Sequence, residues 1–196
     1  MTVVSRPDTT DLVSRAALLP TANIGDAQER FGVPRGITPV WSGARVAGRA
    51  FTVQTRAGDN LFVHRALELA SPGDVLVVDG GGDTSRALIG DLIGLKAQRA
   101  GIAGFVVDGA VRDADALAEL GLPVFARAVT PAGPYKHGPG RLDVAVAIGG
   151  VVVTPGDLVV GDADGVVVVR AADVETVLTD AEAVLEREQG KRATRG

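Results

Sequence analysis

The chain contains no cysteine, which excludes disulfides, thiolate metal sites and cysteine nucleophiles and leaves the redox compartment open. It has only two histidines, His64 and His137. Neither belongs to a His/Asp/Glu cluster at metal-ligand spacing, so His64 reads as a helix-face packing residue and His137 as loop-exposed. No uninterrupted apolar run approaches the roughly 18 residues of a membrane span, and the opening MTVVSRPDTTDLVSR has no apolar core of signal-peptide length. A soluble, cytoplasmic protein with no membrane contact is expected. Net charge is −4, and the 20 Lys and Arg residues are scattered rather than striped. The electrostatic footprint of nucleic-acid binding is therefore missing, and no direct nucleic-acid contact is expected. Ser71 and Ser85 lack the local His/Asp logic of nucleophilic catalysis.

At 196 residues and 46% apolar content the chain can bury one full core, so a single domain over 1–196 is expected, with its core at about 20–170. An N-terminal helical segment and a C-terminal helix flank it. Asp11 to Leu19 has the pattern of a short helix stopped by Pro20. Thr21-Ala22-Asn23 is placed to cap a second, running to about Phe31 before the Gly32–Gly36 break. Gly48 to Thr55 alternates like a strand, and Asn60 to Ala70 has amphipathic helical spacing. Val75 to Val78, Ala145 to Val153 and Gly165 to Arg170 are further strands, and Ala172 to Gln189 is a charged helix. PGDVLVVDGG (72–81) is echoed by PGDLVVGDADG (155–165), each a Pro-Gly-Asp turn feeding a Val-rich strand. Such doubly apolar strands belong in a sheet covered on both faces, which gives an α/β fold.

The most informative pattern is Asp91, twenty intervening residues, and then Arg112-Asp113. Gly90-Asp91 opens LIGLKAQRAG, whose apolar residues recur at helical spacing until Gly101. Ile102 to Val107 then reads as a buried strand ended by Asp108-Gly109. A ten-residue helix rises about 15 Å and a strand of five or six residues about 17–20 Å, so an antiparallel return brings Arg112-Asp113 back beside Asp91. The amides of Asp91, Leu92 and Ile93 at the helix start suit a small carboxylate. Arg112 adds a fork of donors to the same anion or to a neighbouring carbonyl. Asp91 and Asp113 offer hard oxygen ligands of the kind Mg²⁺ or Mn²⁺ accepts. The same residues also serve in plainer roles, an Asp as a helix cap and an Arg-Asp pair as a surface ion pair.

Six stretches carry a family resemblance: GDNLFVHRAL (58–67), PGDVLVVDGGG (72–82), GDLIGLKAQRAGIAGFVVDGAVRD (90–113), LGLPVFARAVTP (120–131), GPG (138–140) and GGVVVTPGDLVVGDADGVVVV (149–169). From about Asn23 to Arg170 the chain resembles the RraA-like family. That family contains the class II, metal-dependent 4-hydroxy-4-methyl-2-oxoglutarate (HMG) / 4-carboxy-4-hydroxy-2-oxoadipate (CHA) aldolases and the regulators of ribonuclease E activity. The resemblance implies an α/β/β sandwich of the swivelling-domain type, assembled as homotrimers or as dimers of trimers (homohexamers) with sites between subunits. It implies that Asp113 binds the metal directly, that Arg112 contacts the carboxylate and carbonyl of the substrate, and that Asp91 holds metal-bound water. It also implies that a glutamate from a neighbouring C-terminal region, Glu186 or Glu188, completes the site. An exposed, charge-laced helix is the plainer account of those glutamates. Regulator members lack part of the Asp, twenty residues, Arg-Asp signature, which is complete here.

The chemistry expected from these residues is retro-aldol cleavage of a 4-hydroxy-2-oxo acid to pyruvate and a second 2-oxo acid. Catalysis is assigned to Arg112 and Asp91, substrate binding to Gly90, Asp91, Leu92, Ile93 and Arg112, and metal binding to Asp113. The divalent cation, Mg²⁺ or Mn²⁺, acts on the C2 carbonyl. Oxaloacetate decarboxylation passes through the same enolate and is expected as a side activity. The alternative is a non-catalytic, protein-binding regulator of ribonuclease E. No lysine stands beside Arg112-Asp113, which disfavours a Schiff-base aldolase. Gly80-Gly81-Gly82 lacks the spacing of a dinucleotide loop, and its glycines are expected to let backbone approach the carboxylate pocket. The long loop Thr130 to Gly140 is expected to line the pocket or an interface.

Overall fold

Valine-rich strands buried on both faces form the middle of the molecule, and this requires apolar layers on each side of them. The computed structural model describes residues 10–194. Helices α1 (Thr10–Ala17) and α2 (Thr21–Ala27) come first, then β1 (Thr38–Pro39), the long β2 (Val46–Thr55) and α3 (Leu61–Ala66). Next follow β3 (Asp74–Asp79), β4 (Ala87–Ile89), α4 (Asp91–Arg99), β5 (Gly104–Val111), α5 (Ala114–Glu119) and β6 (Val124–Val129). The last third contains β7 (Gly140–Leu142), the hairpin β8 (Val146–Ile148) and β9 (Val151–Val153), then β10 (Leu158–Asp162), β11 (Gly165–Val169) and α6 (Val174–Ala193).

The main sheet has the order β1-β6-β5-β3-β2-β10-β11, with β4 added to β5 and β7 to β2. Strands β2, β3, β5 and β6 are mutually parallel, whereas β10 runs antiparallel to β2 and β11 antiparallel to β10. Side-chain alternation divides the interior. Leu76, Val78, Phe105 and Val107 face the helices, meeting Val63, Ile93, Ala97 and Leu117. Val75, Val77 and Val106 face the opposite way, toward Val146, Ile148, Val153, Val159 and Val168. Because β10 and β11 fold over that second face, the layers are helix, sheet, sheet: the α/β/β sandwich. Val160, Val167 and Val169 on the outer face are covered by Ile24, Leu178 and Ala181 of α2 and α6.

The Pro-Gly-Asp echo has a structural meaning, since its two strands, β3 and β10, flank the same strand β2. Each turn closes alike: the Asp74 carboxylate accepts from the Ser71 N–H at 2.8 Å, and the Asp157 carboxylate from the Thr154 N–H at 2.8 Å. Gly73 and Gly156 take φ of 86° and 89°, the left-handed value that the third residue of a type II turn requires.

Three local expectations are corrected. Thr21 is the first residue of α2 rather than its cap, and its N–H and hydroxyl both donate to the buried Asp162 carboxylate. The helix ends at Ala27, because Glu29 and Arg30 turn to positive φ and the Arg30 N–H returns to the Gly25 carbonyl. Asp108-Gly109 does not end β5, which continues to Val111 with a register shift against β6 between Val107 and Ala110. An Asp-Gly pair usually signals a turn, but here the buried Asp108 is tied down. Its side chain pairs with Arg127 and accepts the Gly149 N–H at 2.7 Å, and its carbonyl accepts the Gly80 and Gly82 N–H groups.

The sandwich is tight where β10 crosses β6. A Cβ on Gly161 would lie 2.7 Å from the fully buried Phe125 ring. Gly161→Ala is therefore expected to overpack the core and to cost about 1–3 kcal/mol in urea unfolding. An unchanged midpoint would show that the two layers are not in the contact described.

Candidate active site

A βαβ unit builds the site. Strand β4 lies parallel to β5, with Ile89 opposite Val111, and α4 runs back between them. The Arg112 N–H donates to the Ile89 carbonyl at 2.9 Å, closing the unit between the last residue of β4 and the first residue beyond β5. Asp91 thereby comes beside Arg112-Asp113, the antiparallel return expected from the spacing. The Asp113 Oδ2 accepts the Asp91 N–H at 3.2 Å and lies 3.2 Å from the Arg112 Nε. Asp91 turns its own Oδ1 onto the Leu92 N–H at 2.7 Å.

Gly90 makes this approach possible. A Cβ there would stand 2.5 Å from Asp113 Oδ2 and 2.9 Å from Arg112 Nε. Its φ of −148° and ψ of −169° are open to any residue, so space rather than backbone freedom demands glycine. Asp113 is unusual in the opposite sense, with φ 56° and ψ 43° in the left-handed region at the start of α5, and its side chain makes no capping hydrogen bond to that helix. Such a conformation at a non-glycine residue is strained by about 1 kcal/mol or more and clusters at functional sites. The carboxylate is held toward α4 and Arg112 instead of over its own helix.

The helix-start amides are already partly committed. The Asp91 N–H goes to Asp113 and the Leu92 N–H to Asp91, while the Ile93 N–H has no partner among the described residues. Ile93 is buried in the core and Leu92 is 67% exposed. The Arg112 and Asp113 side chains are 39% and 36% exposed, so their ion pair is half solvated and contributes little to folding by itself. Among the described residues no three His, Asp or Glu side chains converge to cage a metal. The donor set is two neighbouring carboxylates, with Asp113 Oδ1 and Asp91 Oδ2 uncommitted. That fits a hard cation that keeps most of its waters, as Mg²⁺ does.

Several features beside this cluster went unread in the sequence. The loop after β6 runs along Arg112: a Cβ on Gly133 would be 3.3 Å from Arg112 Nη1, and the Gly133 carbonyl accepts from Arg86 Nη1 at 3.0 Å. Two guanidinium groups lie over the Tyr135 ring, Arg86 at 4.2 Å and Arg56 at 5.5 Å from its centroid. The buried Asp59 carboxylate ties the same loop to the start of α3, accepting the His137 and Gly138 N–H groups on one oxygen and the Leu61 N–H on the other. Burial of Asp59 opposes its charge, but these three donors and Arg56 outweigh it and hold the carboxyl below the usual carboxylate range. Gly80-Gly81-Gly82 packs on Asp108 rather than on Arg112, so the expected approach to the carboxylate pocket is not made by these glycines. A cleft of about 550 Å³ between Gln54, Arg56, Asp79 and Arg141 is separate from Arg112. In the C-terminal helix, Glu188 accepts from Asn23 at 3.2 Å, Glu182 pairs with Arg15, and Glu186 is exposed.

Comparison with known proteins identifies the family. Residues 21–168 match the family model described as RraA-like, Aldolase/RraA. A protein of Halalkalibacterium halodurans that carries the provisional name 4-hydroxy-4-methyl-2-oxoglutarate aldolase is 45% identical over 172 residues, covering 87% of this chain and 82% of that one. Among solved structures, Streptomyces coelicolor RraAS2, described as an unusual member of the RNase ES inhibitor RraA family, superposes with a TM-score of 0.85 at 34% identity over 98% of both chains. The RNA-processing inhibitor RraA of Thermus thermophilis gives 0.70 at 36% identity, over 76% of this chain and 92% of that one. Fold, motif stretches and matched span together place the chain in the RraA-like family.

Proposed function

We propose that this protein is a divalent-metal-dependent aldolase that cleaves 4-hydroxy-4-methyl-2-oxoglutarate, or a related 4-hydroxy-2-oxo acid, to pyruvate and a second 2-oxo acid. The observation that carries this reading is the joining of Asp91, Arg112 and Asp113 across Gly90. A half-exposed guanidinium paired with Asp113 and close to Asp91 suits a small anion with an adjacent carbonyl.

In this reading Asp113 is the direct ligand of Mg²⁺ or Mn²⁺, and Asp91 orders water around it. Bound there, the cation supplies Lewis acidity to the substrate C2 carbonyl. Arg112 donates to the substrate carboxylate and to the C2 oxygen, where negative charge grows as the C3–C4 bond breaks. The C4 hydroxyl proton leaves to a water held by Asp91 Oδ2, the C4 oxygen becomes the carbonyl of the departing 2-oxo acid, and the bond pair moves into the enolate of pyruvate. Protonation at C3 then completes pyruvate. Oxaloacetate gives the same enolate by losing CO₂, so decarboxylation accompanies cleavage.

Exposed Leu92 and Val129, at 67% and 56%, flank the cluster, Val129 being paired with Val111. Apolar side chains at a polar site support an assembly in which another copy covers it, a trimer or dimer of trimers. The second reading, a protein-binding regulator of a ribonuclease, is favoured by the likeness to RraAS2 along the whole chain. A regulator would be indifferent to chelation and to loss of Arg112.

Pyruvate release from HMG, CHA and oxaloacetate separates the two. Activity is expected with Mg²⁺ or Mn²⁺, abolished by EDTA and restored by excess Mg²⁺, because carboxylates and waters hold such ions weakly. Full turnover in a chelated preparation would refute the metal site. Asp113→Ala should lose metal affinity and turnover together. Asp91→Ala should impair turnover while calorimetry still detects metal binding, since its contact runs through water; equal loss of affinity would contradict the division. Arg112→Ala should lower kcat by about a hundredfold or more, and Arg112→Lys should recover only part of it. A rise in KM alone would make Arg112 an anchor and nothing else.

A further inference from the structure

Arg112 occupies a slot whose two walls are glycines. Gly90 forms one, with room for no side chain between it and Arg112 Nε. Gly133 forms the other, its missing Cβ standing 3.3 Å from Arg112 Nη1. The first wall is rigid because it links β4 to α4. The second belongs to an irregular loop, and something must fix it if the guanidinium is to keep one position.

Arg86 supplies that fixing. It sits immediately before β4 and uses Nη1 to donate to the Gly133 carbonyl at 3.0 Å. Its guanidinium also lies 4.2 Å from the Tyr135 ring centroid, with Arg56 at 5.5 Å. The same loop segment is threaded by the Ala87 N–H to the Ala132 carbonyl at 2.8 Å, and by the Tyr135 N–H to the Gly58 carbonyl at 2.8 Å. Gly58 in turn is packed on Arg86, since a Cβ there would meet Arg86 Cδ at 3.0 Å. One side chain thus grips the loop on both sides of Pro134, by a hydrogen bond before it and by stacking after it. A planar, permanently charged fork suits both contacts at once better than a compact, strongly hydrated ammonium does.

We infer that Arg86 is a positioning residue for Arg112, acting through Gly133 and the Tyr135 stack to hold the guanidinium where charge develops on the substrate. The inference rests on the aldolase reading for its kinetic consequence and on the contacts alone for its structural one. A wall displaced by a fraction of an ångström costs transition-state stabilisation more than ground-state binding, so the effect belongs in kcat.

The full-length protein tests this with oxaloacetate and Mg²⁺. Arg86→Met is expected to lower kcat by about tenfold with KM changed less than about threefold, and Arg86→Lys to recover part of the loss. Gly133→Ala, which crowds Arg112 without touching Arg86, should give the same split. In an Arg112→Ala background, Arg86→Met should cost less than about twofold more, because the group it positions is gone. An equal loss in both backgrounds overturns the inference, because Arg86 would then be merely structural. Amide hydrogen exchange provides an arm independent of activity: Arg86→Met should speed exchange at Ala132 to Tyr135 by about tenfold and leave β5 unchanged. If wild-type protein produces no pyruvate, the aldolase reading fails and exchange alone decides the clamp. Unaltered exchange in that loop overturns it.

Discussion

The parallel crossover from β4 through α4 to β5 is the constraint on which the rest of the site depends. It sets Ile89 opposite Val111, so the next residue on each strand lies at one sheet edge. A nine-residue helix laid back along an eight-residue strand returns the chain to the edge it left. The core enforces the arrangement from beneath: Ile93 and Ala97 on α4 pack with Phe105 and Val107 on β5, and a one-residue slip would turn those strand residues toward the wrong layer. The chemical groups are thus positioned by apolar burial, and their own half-solvated ion pair contributes little.

That dependence explains what the sequence disclosed. The helix from Gly90 to Gly101 and the buried strand after it were legible because their periodicities are strong, and with them the return of Arg112-Asp113 to Asp91. The α/β/β layering followed from Val-rich strands together with the family resemblance. What stayed hidden is non-local or contrary to local preference. Asp108-Gly109 has turn composition, yet its hydrogen bonds to residues as distant as Gly149 keep it inside a strand. Thr21 has the composition of a cap, but Asp162, far along the chain, claims its donors. Arg86, Gly133 and Tyr135 were unremarkable singly, since only the folded loop brings them to Arg112. The long loop was the one available signal, its length alone marking it for a role near the pocket.

The arrangement also separates rigid from adjustable parts. Asp91 and Asp113 are joined by the backbone N–H at the start of α4, with Gly90 leaving room for the approach. The other side of Arg112 is irregular chain held by side chains, Arg86 at Gly133 and Asp59 at His137 and Gly138. Differences among RraA-like proteins in what they act on are therefore expected to lie in the loop from Thr130 to Gly140 rather than in the crossover, because loops on a fixed scaffold change without disturbing the core.

The central claim is that Arg112, Asp91 and Asp113 together form and stabilise the enolate of pyruvate. Exchange of the pyruvate methyl protons for deuterium in D₂O, followed by proton NMR, tests this step without any carbon–carbon bond being broken. The account predicts exchange by the wild-type protein with Mg²⁺, none after chelation, and near-complete loss in Arg112→Ala. Pyruvate that binds without exchanging, or exchange that persists when Arg112 is removed, would contradict it.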